Sequence, residues 1–339
     1  MFLRAVVPLL TAVAVLATGC DGTEQGWICR VDAECASGRC LPDGSCGEPP
    51  TASDDAGAGS RFGDAAQGGS DASADAANGS DAAATDVGTI DTAGSDTGDA
   101  PAFLCKPDHD GKVDRKEMHF AAGLSAPFRV ARDAKFQAAG EDVAGQGKVW
   151  DLVGPFEGDD DLAVATLPVQ GAWFEADFVG ATYAAQLDTG SPLLGVFEAT
   201  GDRLLLRGVV SPENDLFKTS LIYDPPAVVL QFPLDLGTSF QSVSEVKGFK
   251  DGVYSLWYET WSSKVDSKGA VKTPYGNFPA LRVQTTLTRK VGVMDFVTRS
   301  LAWVAECYGT VASARSPLGA SSVDFPVADE LRRIAPPKR

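Results

Sequence analysis

The chain has 339 residues, with 46 acidic side chains against 29 basic ones and a net charge of −17 at pH 7. This balance argues against nucleic acid or an anionic lipid surface as a partner, because both would repel the chain. The length is enough for a large folded domain together with additional segments.

Residues 1–19 begin the chain with one basic residue, Arg4, followed by an apolar run from Ala5 to Ala17. The run is too short for a membrane-spanning helix, which needs about twenty residues, and it predicts a secretory signal. The ending Leu-Ala-Thr-Gly-Cys20 resembles the lipobox of bacterial lipoproteins, where the signal is cut before a cysteine that then carries lipid. The resemblance implies that Cys20 anchors the protein to a membrane of the bacterial cell envelope, either outer-membrane, periplasmic or surface-facing. An ordinary cleaved signal is the alternative.

Cysteine usage also indicates export. Once Cys20 is set aside for the lipid, six cysteines remain, and in an oxidising compartment they predict three disulfides. Cys105 and Cys307 form one predicted pair, which spans the folded domain. The other four lie in a small module within residues 20–47 and can pair in three ways: Cys29, Cys35, Cys40 and Cys46.

The stretch from Asp32 to Cys40, Asp-Ala-Glu-Cys-Ala-Ser-Gly-Arg-Cys, resembles Cys-rich modules that follow the lipobox in secreted proteins of myxobacteria. A zinc site is the alternative for this module. It is disfavoured because neither histidine lies nearby and the spacing lacks C-x2-C pairs.

Residues 48–101 consist almost entirely of Asp, Ala, Gly, Ser and Thr, with eleven acidic residues and one arginine, Arg61. Such a segment has too few large apolar side chains to offset the entropy lost on ordering. We predict a disordered linker that separates the anchor from the folded domain.

Residues 102–326 have the composition of a globular domain, followed by a C-terminal tail at 327–339. The clearest strand is 281–289, where Leu281, Val283, Thr285 and Leu287 alternate with more polar residues. Proline at 225, 226 and 233 predicts a connection over 224–237, and 266–269 is a predicted turn. Helical spacing is found at 112–122 and 327–334. Further predicted strands are 147–156, 162–168, 171–187, 193–198, 203–210, 218–224, 254–261 and 296–311.

The predicted fold class is therefore mainly β, as an antiparallel barrel, half-barrel or sandwich of about ten strands. The stretches Tyr223–Gly237 and Val271–Val283 resemble segments of β-rich domains in exported bacterial proteins, some of them similar to the half-barrels of lipoprotein carriers. The resemblance implies a non-enzymatic module that binds an apolar ligand, such as a lipid, or another envelope protein. Five tryptophans could line a cavity or pack a core: Trp150, Trp173, Trp257, Trp261 and Trp303.

The alternative function is an aspartic protease. Asp188-Thr-Gly-Ser191 matches the motif in which two carboxylates share one proton. The motif occurs once, so catalysis would need a homodimer of the retropepsin kind or a second site at Asp235. These residue types are equally suited to a turn. No Gly-x-Ser-x-Gly motif is present, and His109 and His119 are expected at the surface.

Residues 106–117 resemble the calcium-binding loop of an EF-hand. With Gly111 at the sharp turn, four carboxylates fall at positions three, five, nine and twelve of such a loop: Asp108, Asp110, Asp114 and Glu117. Lys106 stands at position one, where a ligand is usual, so the predicted calcium affinity is weak. An acidic turn without a metal is the alternative. The cluster Asp159-Asp-Asp161 is expected to be a solvated loop.

Overall fold

The computed structural model describes residues 105–144 and 147–337. This part of the chain forms one sheet of 14 strands and two short 3-10 turns, at Arg115–Glu117 and Glu175–Asp177. Within the described residues, no helix has the length and apolarity needed to cross a membrane. The prediction of a mainly β, antiparallel domain is confirmed.

The strands follow one another along the chain with short connections. Their bounds are β1 Ser125–Lys135, β2 Glu141–Val143, β3 Gly147–Asp151, β4 Asp160–Leu167, β5 Tyr183–Asp188, β6 Ser191–Ala199, β7 Arg203–Val210, β8 Ser220–Gln231, β9 Ser239–Lys250, β10 Val253–Lys272, β11 Asn277–Val291, β12 Met294–Ala305, β13 Gly309–Arg315 and β14 Val327–Ile334.

Twelve of these strands close into an antiparallel barrel, with β14 paired to β1 and β10 to β11. The two remaining strands lie outside it. β3 pairs in parallel with the end of β10, between Lys148–Asp151 and Gly269–Lys272, and β2 pairs with β3. Gly269 permits the close approach of β3, because a Cβ atom there would lie 2.0 Å from the Lys148 carbonyl oxygen.

Residues 105–124 run across one end of the barrel, which we call the covered end. Val113 pairs with Leu234 in the β8–β9 turn, and Phe120 packs against Tyr183 and Phe232 with ring centroids 6.5 and 6.1 Å apart. The predicted disulfide between Cys105 and Cys307 is confirmed. It joins this segment to the β12–β13 turn. The opposite end, formed by the β5–β6, β7–β8, β9–β10 and β11–β12 turns, is called the open end.

The predicted connection over 224–237 is wrong in its first half, because β8 continues to Gln231. β8 pairs with β9 only as far as Asp224. It pairs with β7 as far as Ile222 and then again from Ala227. Pro225 and Pro226 therefore occupy a bulge in which no ladder hydrogen bond needs their missing N–H groups.

Five other predicted elements differ from the structure, four of them before residue 326. Residues 266–269 are not a turn; β10 continues through them with a bulge between Val265 and Ser267. The strand predicted over 171–187 begins only at Tyr183, because Phe174 and Phe178 pack from a 3-10 turn onto the outside of the barrel. The strand predicted over 296–311 is two strands, separated by a turn at Cys307. The helical spacing at 112–122 gives only the 3-10 turn Arg115–Glu117.

The segment 327–334, expected to be helical and part of a tail, is β14 and belongs to the barrel. Its polar residues Glu330, Arg332 and Arg333 are all buried, so the strand lacks the alternation of apolar and polar residues that predicts a half-buried strand. The barrel therefore extends beyond residue 326.

Candidate functional site

The open end of the barrel carries a continuous group of exposed apolar side chains. Along β10 every second residue points outward, so Trp257 and Trp261 are buried inside, whereas Tyr254 is 61% exposed and Leu256 49%. We define the aromatic patch as Leu216, Phe217, Phe249, Val253, Tyr254, Leu256 and Tyr258, all exposed.

Backbone contacts join the two turns that form the patch. The Gly252 amide donates to the Lys218 carbonyl at 3.2 Å, and a Cβ atom at Gly252 would lie 2.9 Å from the Leu216 carbonyl oxygen. Phe249 and Tyr254, which are directly paired across β9 and β10, meet edge to face with centroids 6.0 Å apart. The patch is therefore one surface built on ordered strands.

Charged groups of both signs border the patch. Glu245 accepts hydrogen bonds from Lys247 at 3.1 Å and from the Tyr258 hydroxyl at 3.1 Å, and Lys247 also lies 3.7 Å from Asp224. The hydrogen bonds from Lys247 and Tyr258 lower the pKa of Glu245 below its ordinary value. An apolar, aromatic centre with a polar and charged rim is the arrangement found at protein–protein interfaces.

Behind the patch, the barrel interior contains a charged group that is fully paired. The Glu259 carboxylate is 0% exposed and accepts hydrogen bonds from Trp257 at 2.8 Å, Trp261 at 3.2 Å and Arg289 at 2.8 Å. The Arg289 guanidinium also lies over the Trp257 ring, 4.9 Å from its centroid. Burial and the charge of Glu259 raise the pKa of the neighbouring Tyr223 well above its ordinary value.

A small cavity lies beside this network, with a volume of about 10 Å³. That is room for about one water molecule and far too little for an acyl chain. Among the described tryptophans, Trp150, Trp261 and Trp303 are fully buried in the core, so they pack the domain and do not line a ligand chamber. The cavity is lined by Leu193, Val209, Leu221, Tyr223, Lys250, Trp257 and Arg289.

Asp188 lies in a hairpin turn. It pairs with Ser191, so that Thr189 and Gly190 form the two-residue turn between β5 and β6. Its carboxylate accepts a hydrogen bond from the Gly190 amide at 2.8 Å and lies 3.4 Å from Arg315. Both contacts of the Asp188 carboxylate therefore stabilise the hairpin turn and its attachment to Arg315.

The neighbours of Asp188 also argue against a protease dyad. Arg315 bonds Asp329 at 2.7 Å as well as contacting Asp188, so an arginine lies between these two carboxylates. A dyad needs two carboxylates close enough to share a proton. Thr189 donates through its amide and hydroxyl to Glu330, at 3.0 and 2.6 Å. The geometry does not favour the protease alternative.

The covered end brings together part of the predicted calcium loop. Asp108 and Asp110 group with Glu306, one carboxylate oxygen of each lying within 4.8 Å of the others. Lys116 lies 3.5 Å from both Asp108 and Asp114, and Asp114 is outside the group. Glu117 is buried, and its Oε2 accepts a hydrogen bond from the Asp114 amide at 2.7 Å. The spacing of the loop had not indicated Glu306.

The remaining predicted sites are placed as follows. Of the acidic cluster at 159–161, Asp159 pairs with the buried Arg333 and Asp161 lies 3.4 Å from Arg129. His109 is exposed and His119 is partly buried. The predicted signal, the lipidated Cys20, the cysteines at 29, 35, 40 and 46, and the acidic linker lie outside the described residues.

Two features were missed by reading the sequence. The outward-facing residues of the stretch 254–261 contribute Tyr254, Leu256 and Tyr258 to the aromatic patch, and alternation along this strand was the available signal. Glu306 was the other. Because Cys307 was predicted to pair with Cys105, residue 306 could have been placed beside Lys106, where the loop lacks a ligand.

Comparisons with known proteins identify neither a family nor a function for the chain. No family model matches the chain, and no curated protein matches it significantly. A crystal structure of a Bacteroides fragilis protein that has a YmcC-like fold and is regarded as exported aligns with 63% of this chain and 96% of its own, at 11% identity and a TM-score of 0.30. This similarity is too low to transfer a function.

Proposed function

We propose that the protein is an exported lipoprotein of the bacterial cell envelope, and that its barrel is a non-enzymatic module binding another envelope protein through the aromatic patch. Export is supported by the predicted signal and by the Cys105–Cys307 disulfide, since disulfides persist in oxidising compartments. Lipidation of Cys20 would hold the module at the membrane.

The observation that carries the binding proposal is the exposure of aromatic and aliphatic side chains on rigid, paired strands. Soluble proteins rarely expose a contiguous group of large apolar side chains unless it contacts a partner, and aromatic residues contribute most to such contacts. The cavity behind the patch is too small to hold an acyl chain, so it does not support an apolar ligand at that place. Charges of both signs at the rim favour a protein over an anionic membrane surface.

Leu256 and Leu236 provide a matched pair for the test, since both are 49% exposed but lie at opposite ends of the barrel. A photo-crosslinking amino acid would replace each in the full chain, expressed in the cell envelope. We expect position 256, and not 236, to crosslink to an envelope protein that mass spectrometry identifies. With the partner purified, Leu256→Ser should weaken binding about tenfold or more, whereas Leu236→Ser should leave it unchanged.

Two other outcomes would overturn the proposal. Native mass spectrometry would reveal a homodimer that Leu256→Ser dissociates, and vesicle flotation would reveal lipid binding that the same change abolishes. Either result would assign the patch to a second copy of the chain or to the membrane. The thermal midpoint of both serine variants should equal that of the unmodified protein, because neither residue is in the core.

A further inference from the structure

The segment across the covered end, residues 105–124, is held to the barrel by separate contacts, and we call it the strap. Val113 and Leu234 exchange two backbone hydrogen bonds, at 3.0 and 2.9 Å, in an isolated bridge. The Arg115 guanidinium donates to the Thr200 carbonyl at 2.9 Å. Within the described residues, no part of the strap forms a continuous ladder with a strand, so each contact holds on its own.

The disulfide joins the strap to the barrel wall at the first described residue. Cys105 is bonded to Cys307 in the β12–β13 turn, and both are buried. The His109 amide donates to Glu306 in the same turn at 2.9 Å. Residues 1–104 precede Cys105 in the chain, so a pull on any of them reaches the folded domain at this residue. The covalent bond passes the load to the β12–β13 turn, and the strap lies inside the closed loop and bears none of it.

The path of the load through β12 resists a pull along the barrel. The turn at Cys307 lies at the covered end, whereas Leu256 of the aromatic patch lies at the open end. β12 pairs with β11 along nearly its whole length, and β11 pairs with β10, which carries Leu256. A pull between Cys307 and Leu256 runs along these strands. The hydrogen bonds of both ladders, which are perpendicular to the strands, are therefore strained together.

Without the disulfide, the same pull would act on the strap. Its contacts would break one after another, because each takes up load only after the preceding contact is lost. Peeling would uncover Val113, Met118 and Phe120, which are 2%, 1% and 7% exposed. The barrel end beneath them would then be open to water.

We propose that the Cys105–Cys307 disulfide is a load-bearing clamp, which passes tension between the N-terminal part of the chain and the aromatic patch into the barrel wall and keeps the strap in place. The inference rests on the proposed function for its two pulling ends, the lipid at Cys20 and the partner protein at the patch. A module that holds a partner while it is anchored in a membrane is pulled whenever the two move apart. Forced unfolding is governed by the rate of unfolding, and the clamp sets which contacts that unfolding must break.

The test is stretching of single molecules in optical tweezers, with DNA handles attached to azide-bearing amino acids in place of Ala100 and Leu256 of the full chain. The chemical handles replace both the lipid and the partner, so the result does not depend on the proposed function. The oxidised protein should show no extension before the barrel unfolds. Cys105→Ser with Cys307→Ser should show an earlier step at lower force, on the order of 60 Å, as the strap is extended.

The matched control moves the first handle to Leu236, which lies at the covered end but outside the path through Cys105. Stretching between 236 and 256 should give the same unfolding force for the oxidised protein and the double serine variant. Circular dichroism would establish that the variant is folded. If it is not, dithiothreitol added to the folded, tethered protein gives the same comparison, since it reduces the disulfide to two thiols and is itself oxidised to a cyclic disulfide.

Three results would overturn the proposal. Identical traces for the two proteins between 100 and 256 would show that the strap holds without the disulfide. An early step in the oxidised protein would show that the load does not pass through Cys307. If the serine variant lost as much unfolding force between 236 and 256 as between 100 and 256, the disulfide would stabilise the barrel as a whole and not direct the load.

Discussion

Glu259 and Glu117 are both buried carboxylates, but their surroundings differ. Glu259, inside the barrel, accepts hydrogen bonds on both oxygens from two tryptophans and an arginine. Glu117, in the segment across the covered end, has one oxygen bonded to a backbone amide and the other without a partner. Its charged neighbours carry the same sign as itself.

This difference separates a fully paired buried charge from a partly paired one. A buried charge that has all its partners is complete within the folded chain, and the fold is destabilised when it is removed. A buried carboxylate with an unpaired oxygen raises the free energy of the folded chain or takes up a proton, and burial raises the pKa of Glu117 in that direction. Predictions for three glutamates follow from this distinction.

The largest effect is expected for Glu259→Gln. It removes the carboxylate that pairs with the buried Arg289 guanidinium, and breaking a buried ion pair by removing one partner costs about 3–5 kcal/mol. Urea unfolding would measure the loss. A surface pair is the control: Glu198→Gln, which removes the partner of the half-buried Arg207, should cost at most about 1 kcal/mol.

The double change Glu259→Gln with Arg289→Met sharpens this prediction. Removing both charges should recover much of the stability lost in the single variant, because no uncompensated charge remains. A Glu259→Gln variant as stable as the unmodified protein would show that the network is not structural.

Glu330→Gln should lower the free energy of unfolding by an intermediate amount that depends on pH. Burial alone would raise its pKa, but Arg332 and the hydrogen bonds from Thr189 outweigh burial, so the folded pKa lies below the ordinary 4.5. A depressed folded pKa stabilises the protein above about pH 4.5, and this contribution is lost as the pH falls through the folded value.

Glu330→Gln should therefore destabilise the protein by about 2–3 kcal/mol at neutral pH. The difference in unfolding free energy between the two proteins should shrink as the pH is lowered below about 4.5. Urea unfolding at a series of pH values would measure it. If the difference in unfolding free energy between the two proteins stayed constant below pH 4.5, Glu330 would not be ionised in the folded protein at neutral pH.

The smallest effect, and the opposite sign, is expected for Glu117→Gln. Glutamine keeps an acceptor for the Asp114 amide and removes a charge that Asp108 and Glu306 repel. The free energy of unfolding should be unchanged or up to about 1 kcal/mol higher. A loss of several kcal/mol would mean that Glu117 is a structural group like Glu259.

Local patterns predicted much of the barrel. The segment 281–288 alternates over its whole length and lies within β11, and the strand predicted over 203–210 coincides with β7. Cysteine arithmetic predicted the Cys105–Cys307 disulfide. In the candidate sites, the EF-hand-like spacing picked out Asp108 and Asp110, which lie together in the structure. The residue types of Asp188–Ser191 suited a turn, and the structure has a hairpin turn there.

Features that depend on contacts between residues far apart in the sequence could not be predicted from local patterns. Arg332 is buried in β14 because Glu330 and the Leu187 carbonyl pair with it, and local periodicity carries no information about such partners. Closure of the barrel depends on the pairing of β14 with β1 across the whole domain. Glu306 joins Asp108 only through the folded chain and the disulfide.

The two strands outside the barrel also bear on how the domain behaves at high concentration. Within the described residues, β2 is the last strand of the sheet, so its outer side is where an incoming strand would extend the sheet. That strand has three residues, two of them acidic, Glu141 and Asp142. A short edge carrying like charges is a poor template for edge-to-edge association. The described domain can therefore present an apolar patch at high local density with little tendency to polymerise through its sheet.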